Sequence, residues 1–232
     1  MADARTKHLT LVACVLGTAV VFLDGTVVNV ALPAIRDDLE GGLAAQQWVV
    51  EADLLSLGAT LLVGGSLGDL LGRRRIFAIG LAGFGLTSVL CALAPSAELL
   101  VGARALQGLA GALLVPSSLA VITAVFPPGE RGAAIGTWTA WAGIAMVIGP
   151  LGGGLLVDHA SWRWIFAINV PFVLATLAIV RAAVPESIDE ESTHQVDYPG
   201  ALLVALGLAG PVFALIEQPV HGWGDPIAPC QG

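Results

Sequence analysis

Seven runs of apolar residues, each about the length of a membrane crossing, limit what this chain can fold into. They cover residues 9–32, 47–67, 76–94, 99–125, 133–157, 164–184 and 200–216. A helix crosses the hydrocarbon core in roughly 20 residues, at about 1.5 Å of rise each. Strands of a membrane barrel are about half that length and alternate in polarity; these runs are longer and do not alternate. In lipid a spanning backbone must satisfy its own hydrogen bonds, which a helix does within one segment. Helix breakers stand at the joints: Pro33, Pro95, Pro127-Pro128-Gly129, Pro185 and Pro199. Charge is sparse, at 12% of 232 residues, about half the share of a soluble domain. The expected fold is an all-α integral membrane protein. The first run is too long for a signal-peptide core and has no small-residue cleavage site.

Lys and Arg set the expected orientation. With the N-terminus in the cytoplasm, Arg5, Lys7, Arg73, Arg74, Arg75, Arg131 and Arg181 fall on the inner face. Arg36 and Arg163 fall outside, and Arg104 lies within a span. Trp48, Trp162 and Trp164 then sit near outer ends of spans, as interfacial anchors would. The division that follows is a cytoplasmic N-terminus at 1–8, a six-helix bundle at 9–184 and a cytoplasmic linker at 185–199. A seventh span at 200–217 and an external tail at 218–232 complete it. Arg73–Arg75 are expected to form a short inner turn between spans two and three.

Ionisable residues within spans are costly and point to function by default. Asp24, Glu51, Asp53 and Arg104 are the four. Counting from the outer ends puts Asp24 roughly 13 Å and Arg104 roughly 9 Å deep, so all four can share one layer. Two readings stand for Asp24 and Arg104: a proton-coupling pair, or a static ion pair joining two helices. Glu51 and Asp53 are either cavity residues or solvated acids at headgroup level. In span five Gly149-Pro150 breaks the ladder of backbone hydrogen bonds, and Gly152, Gly153 and Gly154 allow close helix approach or a bend; small-residue packing is one reading, and a helix that bends or packs tightly at a gate is the other.

Other chemistries find little support. His8, His159, His194 and His221 lie at ends and in loops, and Cys14, Cys91 and Cys230 fit no metal or disulfide spacing. No metal or cofactor is expected, and no enzyme. "GLAGFG" at 80–85 resembles a dinucleotide loop only superficially, since it lies inside a span. The one basic cluster sits between apolar runs, which argues against nucleic acid.

Four motifs together resemble the N-terminal half of the major facilitator superfamily, and within it the fourteen-helix drug:proton antiporters. "GSLGDLLGRRR" looks like the loop motif after helix two, with Gly65, Asp69, Gly72, Arg73 and Arg74 in place. "LDGTVVNVALP" resembles the helix-one motif, with Asp24, Thr26 and Asn29, and "RALQGLAGA" the helix-four motif, with Arg104, Gln107 and Gly108. Gly136 and "GPLGGG", residues 149–154, resemble the antiporter motif of helix five. "WRWIFAINVP", residues 162–171, is also typical of that branch. Three positions depart from the pattern. Leu70 replaces a common basic residue, Ala145 a glycine, and Asp53 an aromatic.

The resemblance implies a six-helix bundle plus a linker helix in a bacterial inner membrane. Its implied work is export of a lipophilic drug against an inward proton gradient, with lipid, drug and H+ as partners. Asp24 and Arg104 would couple the proton, and Asn29, Glu51, Asp53, Gln107 and Trp141 would border the substrate cavity. Gly65, Asp69, Gly72, Arg73 and Arg74 would form a conformational latch, and Gly149, Pro150, Gly153 and Gly154 the gate helix. The chain stops one span beyond the sixth and is expected to be half of such a transporter, needing a C-terminal half or self-association. A non-transporting membrane remnant and a transporter of another small solute are the alternatives.

Overall fold

A computed structural model describes residues 3–40, 42–188, 199, 200, 203, 204, 206, 207, 210 and 212. The expected seventh span and outer tail thus lie outside the described residues apart from a few scattered positions. Among the described residues the secondary structure is helical: α1 (Ala4–Leu39), α2 (Leu43–Leu71), α3 (Arg73–Ala92), α4 (Ala97–Val125), α5 (Pro128–His159), α6 (Arg163–Ala167) and α7 (Asn169–Ala183). With α6 and α7 taken together, six segments are long and apolar enough to span a membrane.

Side chains cap two of these helices. Asp3 accepts from the Thr6 amide at 2.9 Å and starts α1; Ser96 accepts from the Leu99 amide and starts α4. Pro33, expected at a joint, does not end α1, and α5 is helical through Pro150, from Pro128 to His159. Each removes one ladder hydrogen bond, a loss that packed membrane helices tolerate. Pro171 likewise has no N–H for the Ala167 carbonyl, and the ladder is interrupted at Ile168, whose backbone stays right-handed helical between α6 and α7.

The expected arginine turn is also corrected. Arg73–Arg75 form the first turn of α3, and the joint is the single residue Gly72, at φ 107°. That backbone region suits glycine alone. Asp69 reaches across the joint to Arg73 at 2.8 Å. The segment after α7 returns to the same place. Glu186 accepts from the Arg74 amide at 3.1 Å, the Ser187 carbonyl accepts from the Arg73 amide at 2.9 Å, and Arg74 Nη2 donates to the Arg181 carbonyl. A carboxylate at a helix N-terminus is favourably placed.

α2 lies along α4, α5 along α1, and α3 against both α4 and α7. Glycines allow the close approaches. A side chain at Gly108 would overlap the Asp53 carbonyl of α2, and one at Gly64 the Ala112 carbonyl of α4. Pro116 leaves that Ala112 carbonyl without its ladder donor. Gly149 and Gly153, one turn apart, meet Thr26 and Val27 of α1, whereas Gly154 only grazes Val30. Gly65, expected in the latch, makes ordinary contact with Pro116. Gly80 and Gly85, from the dinucleotide-like string, pack against α4 and Val173.

Two apolar cores result. One gathers Val21, Phe77, Leu81, Phe84, Leu114 and Val173; the other gathers Val28, Val49, Leu100, Trp162, Ile165 and Phe166. Between them, along every participating helix, lie the polar residues of the next section.

An ionic clamp closes the second core. Arg163 donates to Asp38 at 2.5 Å and to the Ala94 carbonyl at 3.3 Å, and its guanidinium lies 4.3 Å from the Trp162 ring. The Trp162 indole also donates to Asp38. Trp162 is therefore buried at 3% exposure and is not a lipid anchor, while Trp164 is 57% exposed. The Arg163 guanidinium, and after it the Trp162 indole, hold the Asp38 carboxyl below the usual carboxylate range. A depressed folded value stabilises the fold above the unfolded value, about 3.9, and that contribution fades as pH falls through the folded value. Asp38→Asn should therefore melt below wild type by a constant margin from pH 7 to about 5, with the gap closing below about 4. Thermal unfolding in detergent across that range is the measurement. A gap that widens on acidification would refute the clamp.

Candidate functional site

Arg104 of α4 is 1% exposed and lies between two acids on different helices. Its Nη1 donates to Asp24 of α1 and, at 2.7 Å, to Gln107 Oε1. Nη2 pairs with Asp53 of α2 at 3.1 Å, Nε donates to the Val49 carbonyl at 3.1 Å, and the guanidinium lies 5.8 Å from the Phe166 ring centre. A planar fork of five donors suits this spread of acceptors.

Asp24 is held from its other side as well. Asn169 of α7 donates to Oδ1 at 2.7 Å and Gln107 Nε2 does so at 3.2 Å. Both amides also donate to Ser88 of α3, and the Cys91 thiol to Gln107. Five spans thus contribute to one cluster whose side chains are almost fully buried.

One atom has no partner. Oδ1 of Asp53 is buried and makes no hydrogen bond among the described residues. The charge count points the same way. One guanidinium faces two carboxylates, so the fully ionised trio carries one net negative charge, which is costly in a dry interior. A single proton on the trio removes it.

The sequence-predicted residues part company here. Asp24, Asp53, Arg104 and Gln107 come together. Asp53 is 4% exposed, so the solvated headgroup position does not hold for it. Glu51, two residues away, is half-buried outside the cluster. Asn29 is exposed and its amide donates to the Gly25 carbonyl of its own helix, and Trp141 is 51% exposed on α5. Neither touches the charge cluster. Ser88, Cys91 and Asn169 were missed as members. Ser88 and Cys91 are spaced i, i+3 on one face of α3, and Asn169 lies inside the quoted "WRWIFAINVP" string; those were the available signals.

Beside the cluster, α1, α5 and α7 enclose a crevice of about 260 Å³. Leu23, Val27, Ile148, Leu156 and Phe172 are among its walls, and Asn169 is the single polar residue lining it. One residue, Asn169, therefore both lines the apolar crevice and donates to Asp24.

Residues 14–222 match the Major Facilitator Superfamily. The chain belongs to that family. It is a multi-pass membrane protein of a transporter family rather than an enzyme. The superfamily fold is seen directly in solved structures. The proton:xylose symporter XylE superposes with TM-score 0.70 at 17% identity, over 95% of this chain and 54% of its own. A peptide transporter POT superposes with TM-score 0.69 at 14% identity, over 93% of this chain and 47% of its own. Relatives by sequence are closer. The chain is 41% identical to the tetracenomycin C resistance and export protein of Streptomyces glaucescens, over 93% of this chain and 40% of that protein. It is 44% identical to the puromycin resistance protein pur8 of Streptomyces alboniger, over 94% and 43% respectively. With the multidrug resistance protein Stp of Mycobacterium tuberculosis it shares 42%, over 94% and 41%. The chain therefore spans about two fifths of the length of these three sequence relatives.

Proposed function

We propose that this chain is a bundle of a proton-coupled exporter of lipophilic compounds, working by alternating access together with a second bundle. The observation that carries the reading is the buried trio, in which Asp24 and Asp53 share one Arg104. A group whose charge state changes the net charge of a dry core favours different surroundings in its two states. Rocking of two bundles about a midplane site would supply them. Asp24 and Asp53 receive the proton, Arg104 holds whichever carboxylate is ionised, and Gln107, Ser88 and Asn169 re-aim as the charge moves. The Asn169 amide carries the change to the apolar crevice, where a lipophilic compound would lie. Resistance, named for three relatives, and export, named for one of them, support this substrate class. The second bundle is supplied by further chain or by another copy.

The test is dye efflux from proteoliposomes holding the transporting assembly under an imposed pH gradient. Wild type should expel a lipophilic cationic dye and stop when the gradient is collapsed. Asp24→Asn should reduce gradient-driven efflux by about a hundredfold, the scale on which loss of a positioned proton-transfer group is felt. Gradient-driven efflux at wild-type rate in Asp24→Asn would rule out proton coupling through this residue.

A further inference from the structure

We propose that the groove between the start of α3 and the end of α7 binds the phosphate headgroup of an anionic phospholipid, whose acyl chains run down the outer face of both helices. The groove is lined at one end by Arg74, Arg75 and Arg181, and below them by Ile79, Ala82 and Leu177. Each helix carries the pattern on one stripe. On α3, Arg75 is followed at helical spacing by Ile79, Ala82, Leu86 and Leu90; on α7, Arg181 is preceded by Leu177 and Leu174. Ile79, Leu86, Leu90 and Leu174 are 49%, 65%, 45% and 61% exposed. An apolar stripe of about four turns on α3 and one of about two turns on α7 thus end in arginines at the same membrane edge. A phospholipid has the matching shape, an anionic head on two apolar chains.

Glu186, the one acid lining the groove among the described residues, accepts from the Arg74 amide at the α3 N-terminus, and Asp69 is engaged with Arg73. The side chains of Arg75 and Arg181 have no carboxylate partner among the described residues. Guanidinium groups bind phosphate through paired N–H donors. Basic pockets between spans at a membrane edge recognise anionic headgroups. The site is separate from the Arg104 cluster and does not rest on the transport reading.

The test is lipid retention by the full chain. It is purified from mixed vesicles of phosphatidylglycerol and phosphatidylcholine with identical acyl chains, and bound lipid is counted by native mass spectrometry. About one phosphatidylglycerol per chain should remain, in several-fold excess over phosphatidylcholine. Arg75→Gln and Arg181→Gln should each lower retention about fivefold. Arg131→Gln, a basic residue at the start of α5, should leave it unchanged. Ala82→Trp fills the groove with every charge intact and should also lower retention, which keeps the test open should an arginine variant misfold. Equal retention of the two lipids by wild type would overturn the proposal. So would an equal loss in Arg131→Gln, which would mark general charge attraction, or displacement by inorganic phosphate alone, which would mark a free-phosphate site.

Discussion

Arg104→Gln should lower the stability of the bundle by about 3–5 kcal/mol, the usual cost of leaving buried charge without its partner. Both Asp24 and Asp53 lose their cation, and the Val49 carbonyl loses a donor. For a chain of this size the loss corresponds to a drop in apparent melting temperature of about 10 °C. Fluorescence-detected elution after heating in mild detergent reads it out. Arg104→Lys should recover only part, because one ammonium cannot serve acceptors on three helices in different directions. Adding Asp24→Asn to Arg104→Gln should also recover part, since one stranded carboxylate is removed. An Arg104→Gln protein that melts with wild type would show that the trio contributes nothing to holding the bundle together.

The second large effect is steric. Gly108→Val should prevent α4 from seating on α2, because the added carbon meets the Asp53 carbonyl and the Ser56 side chain. Backbone cannot shift as a side-chain tip can, so the cost should reach about 3 kcal/mol or more. Gly102→Val supplies the control. It lies in the same helix, has the same loss of flexibility, and faces open space; its effect should stay within about 0.5 kcal/mol. The yield of monodisperse protein distinguishes them. Because Asp53 is the residue pressed, the Gly108 variant should also disturb the Arg104 pair. Equal yields for the two variants would mean that the close approach is not required.

The architecture was legible because membrane spanning is a matter of length. Runs of about 20 apolar residues fix six spans almost regardless of detail. Helix ends were less legible. Pro33 reads as a helix end, yet α1 runs through it as α5 runs through Pro150, and at Pro171 the ladder is interrupted at Ile168 while the backbone stays helical. The site divides similarly. Asp24 and Arg104 declare themselves by being charges in a place that charges avoid. Depth arguments could not separate Asp53 from Glu51, because two residues along a helix change depth by about 3 Å but direction by about 200°. Rotation about the helix axis is set by packing, here by Gly108 against the Asp53 backbone. Ser88 and Asn169 gave only a faint signal, for another reason. Small polar residues are common in membrane helices as packing and hydrogen-bonding elements, so their presence alone marks nothing.

The cluster also sets a timetable. Asp24 and Asp53 enter the membrane on the first two spans, but Arg104 lies 80 residues after Asp24 and Asn169 lies 145 after it. A ribosome needs on the order of ten seconds to cover such distances. For that interval the leading pair of spans carries carboxylates with no cation, each an insertion penalty of roughly 3 kcal/mol at mid-membrane. α1, the more apolar of the two, can absorb such a penalty, and α2 has less to spare. Assembly of this bundle is therefore committed late, when the fourth span delivers its arginine. Until then the first two spans stay in the membrane on their apolar residues alone.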